Sequence, residues 1–250
     1  MELVNKEALE NSFIKQSEGI IWKIKLDDEQ QTIAWETRNN QKQVSFYTYD
    51  FKRKRFLLDN FRFEENWLLG LVGVYHNVAY FHGFENEFSP VQKGIIALDL
   101  NNQQILWQNF SVSIQEITKE GVIAFDSKIF PRNYQLLDLK TGTTLQKVVI
   151  EQLVSFTNLS NQILIPQIHS NTNIWETWHH LSYLGLEIKS YYQQKDTCYQ
   201  QLLQIFKNES LIFEDILNTN IQKPNVDTFF VWLNKLVYIR NKSEIVTYLV

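Results

Sequence analysis

The feature that most constrains this chain is an internal repeat. In GIIALDLNNQQILWQN, residues 94–109, alternating apolar residues lead to Leu-Asp-Leu, a polar turn and further apolar residues. NYQLLDLKTGTTLQKV, residues 133–148, has the same order, and VSFYTYDFKRKRFLL, residues 44–58, is a weaker third copy. Since side chains alternate between the two faces of a strand, each copy predicts a β-hairpin with its aspartate at the turn.

The turn chemistry is clearest in the second copy. We expect Asp138 to accept hydrogen bonds from the amides of the following turn and Gly142 to adopt a positive φ. The first copy has Gln103 where the second has Gly142. We therefore expect Asn101 or Asn102 to take the left-handed conformation in that turn.

Each copy lies near a further strand-like segment: TIAWET from Thr32, NVAYFHG from Asn77 and GVIAFDS from Gly121. The resulting period of about 40 to 50 residues is typical of a four-stranded propeller blade. The sequence thus predicts an all-β propeller of about five four-stranded blades. Six blades are the alternative, because residues 192–217 are ambiguous.

The two ends of the chain predict how the ring closes. Residues 1–18 are expected to be helical or loose, and residues 19–250 to form a single propeller domain. Ile20 to Leu26 is an additional strand, which we expect to pair with the C-terminal hairpin and so remove two exposed edges. The segment NQILIPQIHS, residues 161–170, resembles the middle strand of a blade, with Pro166 at an edge or bulge.

The repeat also carries a family resemblance. IIALDLNNQQILWQN resembles the A-L-D-x-x-x-G-x-x-L-W repeat of quinoprotein-type propellers and, more loosely, the blades of WD-repeat proteins. The layout from GIIWKIKLDDEQQTIAWET onward is similar to a family of uncharacterised bacterial proteins known only as a domain of unknown function. The resemblance covers mainly residues 20–150 and implies a fold but no activity.

Composition excludes several classes of enzyme. The eight glycines form no G-x-G-x-x-G, phosphate loop or G-x-S-x-G motif. The single cysteine, Cys198, excludes an intramolecular disulfide and a multi-cysteine zinc site. We therefore expect no cofactor: no stoichiometric metal, nucleotide or quinone.

Charge indicates no partner with a phosphate backbone. The net charge is -4, and KRKR at residues 52–55 is interpreted as a solvated hairpin turn rather than a nucleic-acid contact. The first residues lack the pattern of a signal peptide, and no apolar run is long enough to span a membrane. We expect a cytoplasmic monomer that binds neither nucleic acid nor membrane.

Polar residues near strand ends raise the alternative of a metal site. His82 and His169 end alternating strands, where a ring would face the channel of a propeller. Calcium prefers oxygen ligands, which makes Glu36, Asp126 and Glu214 better candidates. We interpret these three carboxylates as solvated strand ends. The alternative function that they leave open is a small metal-dependent hydrolase or lactonase with a metal in the channel.

The most unusual local composition is IWETWHH, residues 174–180. Trp175, Trp178, His179 and His180 are candidates for a stacking surface that binds a ligand or a partner. The other interpretation is that both tryptophans pack between blades. Three further tryptophans are expected to pack in that way: Trp22, Trp107 and Trp232.

The function that we expect is a non-catalytic interaction module. Loops on one face of the propeller would hold a protein partner or a small ligand. The enzyme alternative depends on carboxylates gathering around a metal in the channel.

Overall fold

The computed structural model describes residues 9–159, 161–170, 172–224 and 228–250. Strands make up 62% of the structure and helices 4%. The strands form five antiparallel sheets, three with four strands and two with five. The predicted all-β fold with five blade-type sheets is confirmed, and residues 192–217 contribute to the fourth sheet rather than to a sixth.

The chain divides into two compact units, one of residues 18–161 and one of residues 162–250 with the N-terminal residues up to 17. After the N-terminal strand, the first of these units contains three sheets in which successive strands are neighbours, followed by a 3-10 helix, η1. The N-terminal strand β1 (Asn11–Gln16) belongs to the second unit. The elements of the first unit are sheet 1 with β2 (Ile20–Asp27), β3 (Thr32–Arg38), β4 (Val44–Asp50) and β5 (Arg55–Phe61); sheet 2 with β6 (Leu69–Tyr75), β7 (Val78–Asn86), β8 (Ser89–Asp99) and β9 (Gln104–Asn109); sheet 3 with β10 (Ser113–Ile117), β11 (Val122–Phe125), β12 (Tyr134–Leu137) and β13 (Thr144–Val148); and η1 (Ile150–Ser155).

The second unit contains two sheets. Sheet 4 runs from β15 to β19 in chain order, and sheet 5 has the order β1-β22-β21-β20-β14. A second 3-10 helix, η2, precedes β16. The elements are β14 (Ile163–Leu164), β15 (Gln167–His169), η2 (Ile174–Glu176), β16 (Trp178–Tyr183), β17 (Leu186–Lys195), β18 (Cys198–Lys207), β19 (Ser210–Ile221), β20 (Phe229–Trp232), β21 (Lys235–Arg240) and β22 (Glu244–Leu249).

Four hairpin turns share one construction. An aspartate Oδ1 accepts a hydrogen bond of 2.8 to 3.0 Å from an amide two or three residues later. The residue four positions after that aspartate has a positive φ. The pairs are Asp27 and Gln31, Asp50 and Lys54, Asp99 and Gln103, and Asp138 and Gly142.

This construction confirms the expectation for Asp138 and Gly142. The expectation that Asn101 or Asn102 is left-handed is wrong, because Gln103 itself has a φ of 59°. The aspartate fixes the turn strongly enough that the left-handed position accepts a residue other than glycine. Residues 52–55 form an exposed turn entering β5, as expected.

Apolar clusters join neighbouring sheets within each unit. One buries Phe46 of sheet 1 against Phe81 of sheet 2, with ring centroids 4.6 Å apart. A second joins sheets 2 and 3, and a third joins sheets 4 and 5 around Leu203 and Val246. The strands β3, β4 and β11 are consequently buried on both faces, as in the blades of a propeller.

A buried ion pair connects sheet 1 to the edge strand β6 of sheet 2. Glu36 Oε1 lies 2.7 Å from Arg38 Nε, and Glu36 Oε2 accepts a 2.7 Å hydrogen bond from the amide of Leu71. Arg38 donates to the carbonyl oxygens of Trp67, at 3.0 Å, and Leu69, at 2.5 Å. Side chains of sheet 1 thus pair backbone groups of β6 that have no neighbouring strand on that side.

The junction between sheets 2 and 3 centres on the carbonyl of Leu139. It accepts hydrogen bonds from Trp107 Nε1, at 3.0 Å, and from the Tyr80 hydroxyl, at 3.1 Å. The Trp107 ring lies directly over Gly142, where an added Cβ would approach it to 2.5 Å. Gly142 is therefore required for the turn and also for the packing of Trp107.

Several strand assignments need correction. An N-terminal strand does pair with the C-terminal hairpin, but it is β1, whose residues Phe13 to Gln16 pair with Thr247 to Glu244 of β22. The predicted strand, Ile20 to Leu26, belongs to β2 and pairs with β3. Trp22 is consequently 67% exposed rather than packed between blades, whereas Trp107 and Trp232 are buried as expected.

The ends of the predicted domain also differ. Residues 1–18 were expected to be helical or loose, yet Asn11–Gln16 is a strand, and residues 1–8 lie outside the described part of the chain. The segment 161–170 is not one middle strand: Pro166 lies between β14 of sheet 5 and β15 of sheet 4. The structure divides into two compact units, and the single domain expected over residues 19–250 stays a prediction.

Deleting residues 1–16 should expose the edge of β22, because this deletion removes every residue that pairs with it from β1. The ladder is extended by bonds from Leu249 N to Glu10 O and from Ser17 N to Ser243 O. We expect a lower melting temperature and aggregation in gel filtration. Deleting residues 1–8 is the control, and equal behaviour of the two truncations would contradict a role for β1.

Replacing Arg38 with alanine should leave the Glu36 carboxylate buried without its cation. We expect a loss of about 3–5 kcal/mol in the free energy of unfolding, measured with urea. Arg53→Ala is the matched control, because the Arg53 side chain is half exposed and its own amide keeps a bond to Asp50. That variant should lose less than about 1 kcal/mol; similar losses would show that burial of the pair is unimportant.

Gly142→Ala should combine backbone strain with a clash against Trp107. Gly185→Ala separates the two effects, because Gly185 also has a positive φ, of 79°, but open space around its Cβ position. Strain alone should cost about 1–2 kcal/mol in Gly185→Ala. Gly142→Ala should cost more and should change the Trp107 contribution to fluorescence, and equal unfolding midpoints would rule out the steric part.

Candidate binding surfaces

A cleft of about 1030 Å³ lies on sheet 3, on the face that bears Phe125 and Tyr134. It is lined mainly by aromatic and aliphatic side chains. Most of these come from the loop between β11 and β12 and from the segment where β13 leads into η1, and strands β8, β10, β11 and β12 contribute Val91, Ile114, Phe125 and Tyr134. We call this feature the sheet 3 cleft.

The first wall is the loop SKIFPRN, residues 127–133. Asp126 Oδ1 accepts a 2.9 Å hydrogen bond from the amide of Lys128, which fixes the start of the loop. Phe130, at the tip, is 95% exposed. The chain then returns so that the Arg132 guanidinium lies 4.2 Å from the centre of the Phe125 ring.

The second wall is formed by Val148, Val149, Ile150 and Glu151. Gln152 Oε1 accepts a 3.1 Å hydrogen bond from the amide of Val149, which fixes the backbone at the start of η1. Val149 and Ile150 are exposed, whereas Leu153 and Phe156 pack against the buried cluster of sheet 3. Apolar side chains on this segment thus point both into the protein and out to solvent.

The charges of the cleft are unequal. Lys128 and Arg132 lie on the first wall and Glu151 on the second. The hydrogen bond of the Arg132 guanidinium is to Gln115 Oε1, at 3.4 Å, and within the described residues neither cation lies in an ion pair. Two positive groups therefore stand beside an exposed apolar surface.

The sequence-predicted residues lie elsewhere, on and beside sheet 4, and the structure separates them. Trp178 and His180 are on one face of β16, and His179 is buried on the other. Trp175, in η2, stacks on Tyr199 with ring centroids 3.8 Å apart. The alternation of the strand divides the two histidines, so the four residues do not form one surface.

Trp178 and His180 belong to a half-exposed polar and aromatic face. His169 stacks on Trp178 at 4.1 Å, and His180 Nε2 pairs with Glu187. Lys189 Nζ lies 6.0 Å from the centre of the Trp178 ring. We call this the sheet 4 face; its rings already contact one another.

The candidate metal ligands are in different environments. Glu36 is buried in its ion pair with Arg38, so its interpretation as a solvated strand end is wrong. Asp126 caps a loop, and Glu214 is exposed, with Oε2 2.5 Å from Gln204 Nε2. Over the described ranges, no three side chains of His, Cys, Asp or Glu gather as a metal site requires.

The sequence alone does not predict the sheet 3 cleft. The residues Ile129 to Pro131 occur in a loop, where apolar side chains are unusual, and this was the available signal. Their position opposite Val149 and Ile150 depends on the pairing of β12 with β13. In the part of the chain that the structure describes, no helix is both long and apolar enough to cross a membrane.

His82 is buried in sheet 2, where Nδ1 lies 3.1 Å from the carbonyl oxygen of Gly83. Burial, together with the nearby cations Lys23 and Arg38, lowers the pKa of His82 to about 4. The folded state thus binds the proton less readily than the unfolded chain, whose histidine pKa is about 6.5. The stability that this group contributes is complete above pH 6.5 and is lost as the pH falls towards 4.

Replacing His82 with leucine should remove this dependence. The wild-type protein should lose about 3 kcal/mol of unfolding free energy between pH 6.5 and 4 from this group. His76→Gln, at an exposed histidine paired with Glu29, is the control. If urea titrations give the same pH slope for His82→Leu and wild type, His82 is not the responsible group.

A comparison with known proteins matches part of this chain to an uncharacterised family. It indicates no activity for the protein. Residues 26–107 match the family model described as a domain of unknown function, DUF4905. No curated protein matches the sequence.

Several solved structures match the chain at low identity and low TM-score. Hsv2 of Kluyveromyces marxianus is 10% identical, with a TM-score of 0.37 over 93% of this chain and 73% of that one. Hsv2 of Kluyveromyces lactis is 9% identical, with a TM-score of 0.34 over 88% and 74%. A chain of the mitotic checkpoint complex is 8% identical, with a TM-score of 0.35 over 100% and 95%. Similarity at this level carries no argument about what the chain binds.

Proposed function

We propose that this protein is a non-catalytic interaction module that holds a protein partner at the sheet 3 cleft. The observation that carries the proposal is the exposure of large apolar side chains around the cleft, with Phe130 95% exposed at the loop tip. Exposed apolar surface of this kind is typical of protein interaction sites.

The composition of the cleft supports a protein partner over a small ligand. Pockets for small ligands enclose most of the ligand in volumes of roughly 300–1,000 Å³. The volume of this cleft lies slightly above that range, and Phe130, Val149 and Ile150 are exposed to solvent at its walls. Aromatic residues and arginine, as in Phe130 and Arg132, are enriched at protein interfaces.

The polar groups of the cleft support binding over catalysis. General acid–base or nucleophilic chemistry commonly uses His, Cys or a pair of carboxylates. The described lining contains neither His nor Cys, and Glu151 is its one carboxylate. The cleft therefore offers contact area and charge without a catalytic pair.

The sheet 4 face is a second proposed binding surface. Trp178 and His180 present half-exposed rings beside Lys189, a combination that suits stacking with an aromatic or planar group. The sheet 3 cleft takes precedence in the proposal, because Ile129, Phe130, Val149 and Ile150 are exposed there, whereas Trp178 is only half exposed.

The test is capture from an extract of the source cells with three immobilised proteins: wild type, a double variant with Phe130→Ser and Ile150→Ser, and Phe88→Ser. Phe88 is the matched control, since it is 96% exposed but lies outside the cleft. Proteins retained by wild type and by Phe88→Ser should be reduced at least about tenfold by the double variant, as expected when interface anchors are lost.

Melting temperatures decide how the capture is interpreted. Both substituted side chains are exposed, so the double variant should melt close to wild type. Equal capture by all three proteins would contradict the proposal. A large fall in the melting temperature of the double variant would contradict it too, because these side chains would then be covered within the folded chain.

A further inference from the structure

Of the six arginines, Arg132 and Arg55 lie in no ion pair with a described residue; Arg55 is exposed at the start of β5, whereas Arg132 lines the sheet 3 cleft. Arg38, Arg53, Arg62 and Arg240 each pair with a carboxylate. The chain carries a net charge of -4. An arginine that lies in no ion pair with a described residue, in the apolar cleft of an acidic protein, is arranged to receive an anion there.

The position of Arg132 fits a carboxylate in particular. Its guanidinium lies 4.2 Å from the centre of the Phe125 ring, which holds the planar group at the cleft wall. A guanidinium held in this way needs little further ordering to bind a carboxylate through two parallel hydrogen bonds. Lys128, on the same loop, adds a second positive charge within the cleft.

The apolar side chains define the rest of the occupant. Phe130, Val149 and Ile150 are exposed on both walls and require apolar groups to cover them. Glu151, on the second wall, would repel a second negative charge of the occupant at that end of the cleft. The occupant thus carries its acid towards residues 128–132 and an apolar side chain between the walls.

From this charge complementarity we infer that the sheet 3 cleft binds a segment of a partner protein in which an aspartate or glutamate stands next to large apolar residues. The inference rests on the proposed function and specifies the partner's chemistry. A carboxylate between Arg132 and Lys128 fixes the register of the segment, and its apolar side chains cover Phe130 and Ile150.

The test measures binding of three sets of fluorescent octapeptides to the full chain by fluorescence anisotropy. All sets have a central leucine and phenylalanine, flanked by glutamate in the first, glutamine in the second and lysine in the third. The glutamate set should bind about tenfold more tightly than the glutamine set, and the lysine set most weakly. The preference should decrease as salt is added.

Charge reversal at the cleft should reverse the order. A double variant with Lys128→Glu and Arg132→Glu should bind the lysine set more tightly than the glutamate set. Lys147→Glu is the matched control, because Lys147 is an exposed cation of β13 outside the cleft. It should keep the wild-type order, and Phe130→Ser should weaken every set.

The outcomes separate this inference from the function on which it rests. If all three sets bind equally and Phe130→Ser weakens them, the cleft is a docking site but its preference for acid is wrong. If no set binds, the acidic-segment inference is overturned, and capture by the Phe130 and Ile150 variant decides the proposed function independently. If Lys147→Glu changes the order as much as the cleft variant does, the preference arises from overall charge and the inference is wrong.

Discussion

The ion pair of Glu36 and Arg38 provides hydrogen bonds to backbone groups at the edge strand β6, which apolar packing alone would leave unpaired. Edge strands carry backbone groups with no neighbouring strand, and burying such groups unpaired is costly. Arg38 donates to the carbonyls of Trp67 and Leu69, and Glu36 accepts the amide of Leu71. Because sheet 1 pairs these groups with side chains, the apolar cluster between sheets 1 and 2 can close over them.

The same division of roles recurs between sheets 2 and 3. An apolar cluster supplies the contact area, while Trp107 and Tyr80 both donate to the carbonyl of Leu139. Apolar burial is non-directional, whereas hydrogen bonds require particular distances and angles. The polar contacts therefore set the register of each junction, and Gly142 makes room for the indole that provides one of them.

Exposed and buried aromatic residues have different consequences in this protein. Phe46, Phe81 and Trp107 stabilise the junctions, whereas Phe130 is exposed on the same loop as Arg132, which lies in no ion pair with a described residue. The junction residues pair their polar neighbours within the chain, but the sheet 3 cleft leaves both its apolar surface and its cations available. That contrast gives the cleft its role in the proposed function and makes its charges informative about the partner.

The sequence by itself determined most of the strands, the hairpins of the repeat and the aspartates at their turns, because these depend on alternation and on hydrogen bonds between residues two to four positions apart. It also predicted that Trp107 and Trp232 pack in the interior and do not belong to a binding site. Only the tertiary structure decided that β1 rather than β2 pairs with β22, that His179 and His180 lie on opposite faces, and that Phe130 lies in the loop that walls a cleft with Ile150. These outcomes depend on contacts between residues far apart in the chain, and local sequence patterns do not specify how such residues pair. They also depend on which face of each strand is covered by a neighbouring sheet.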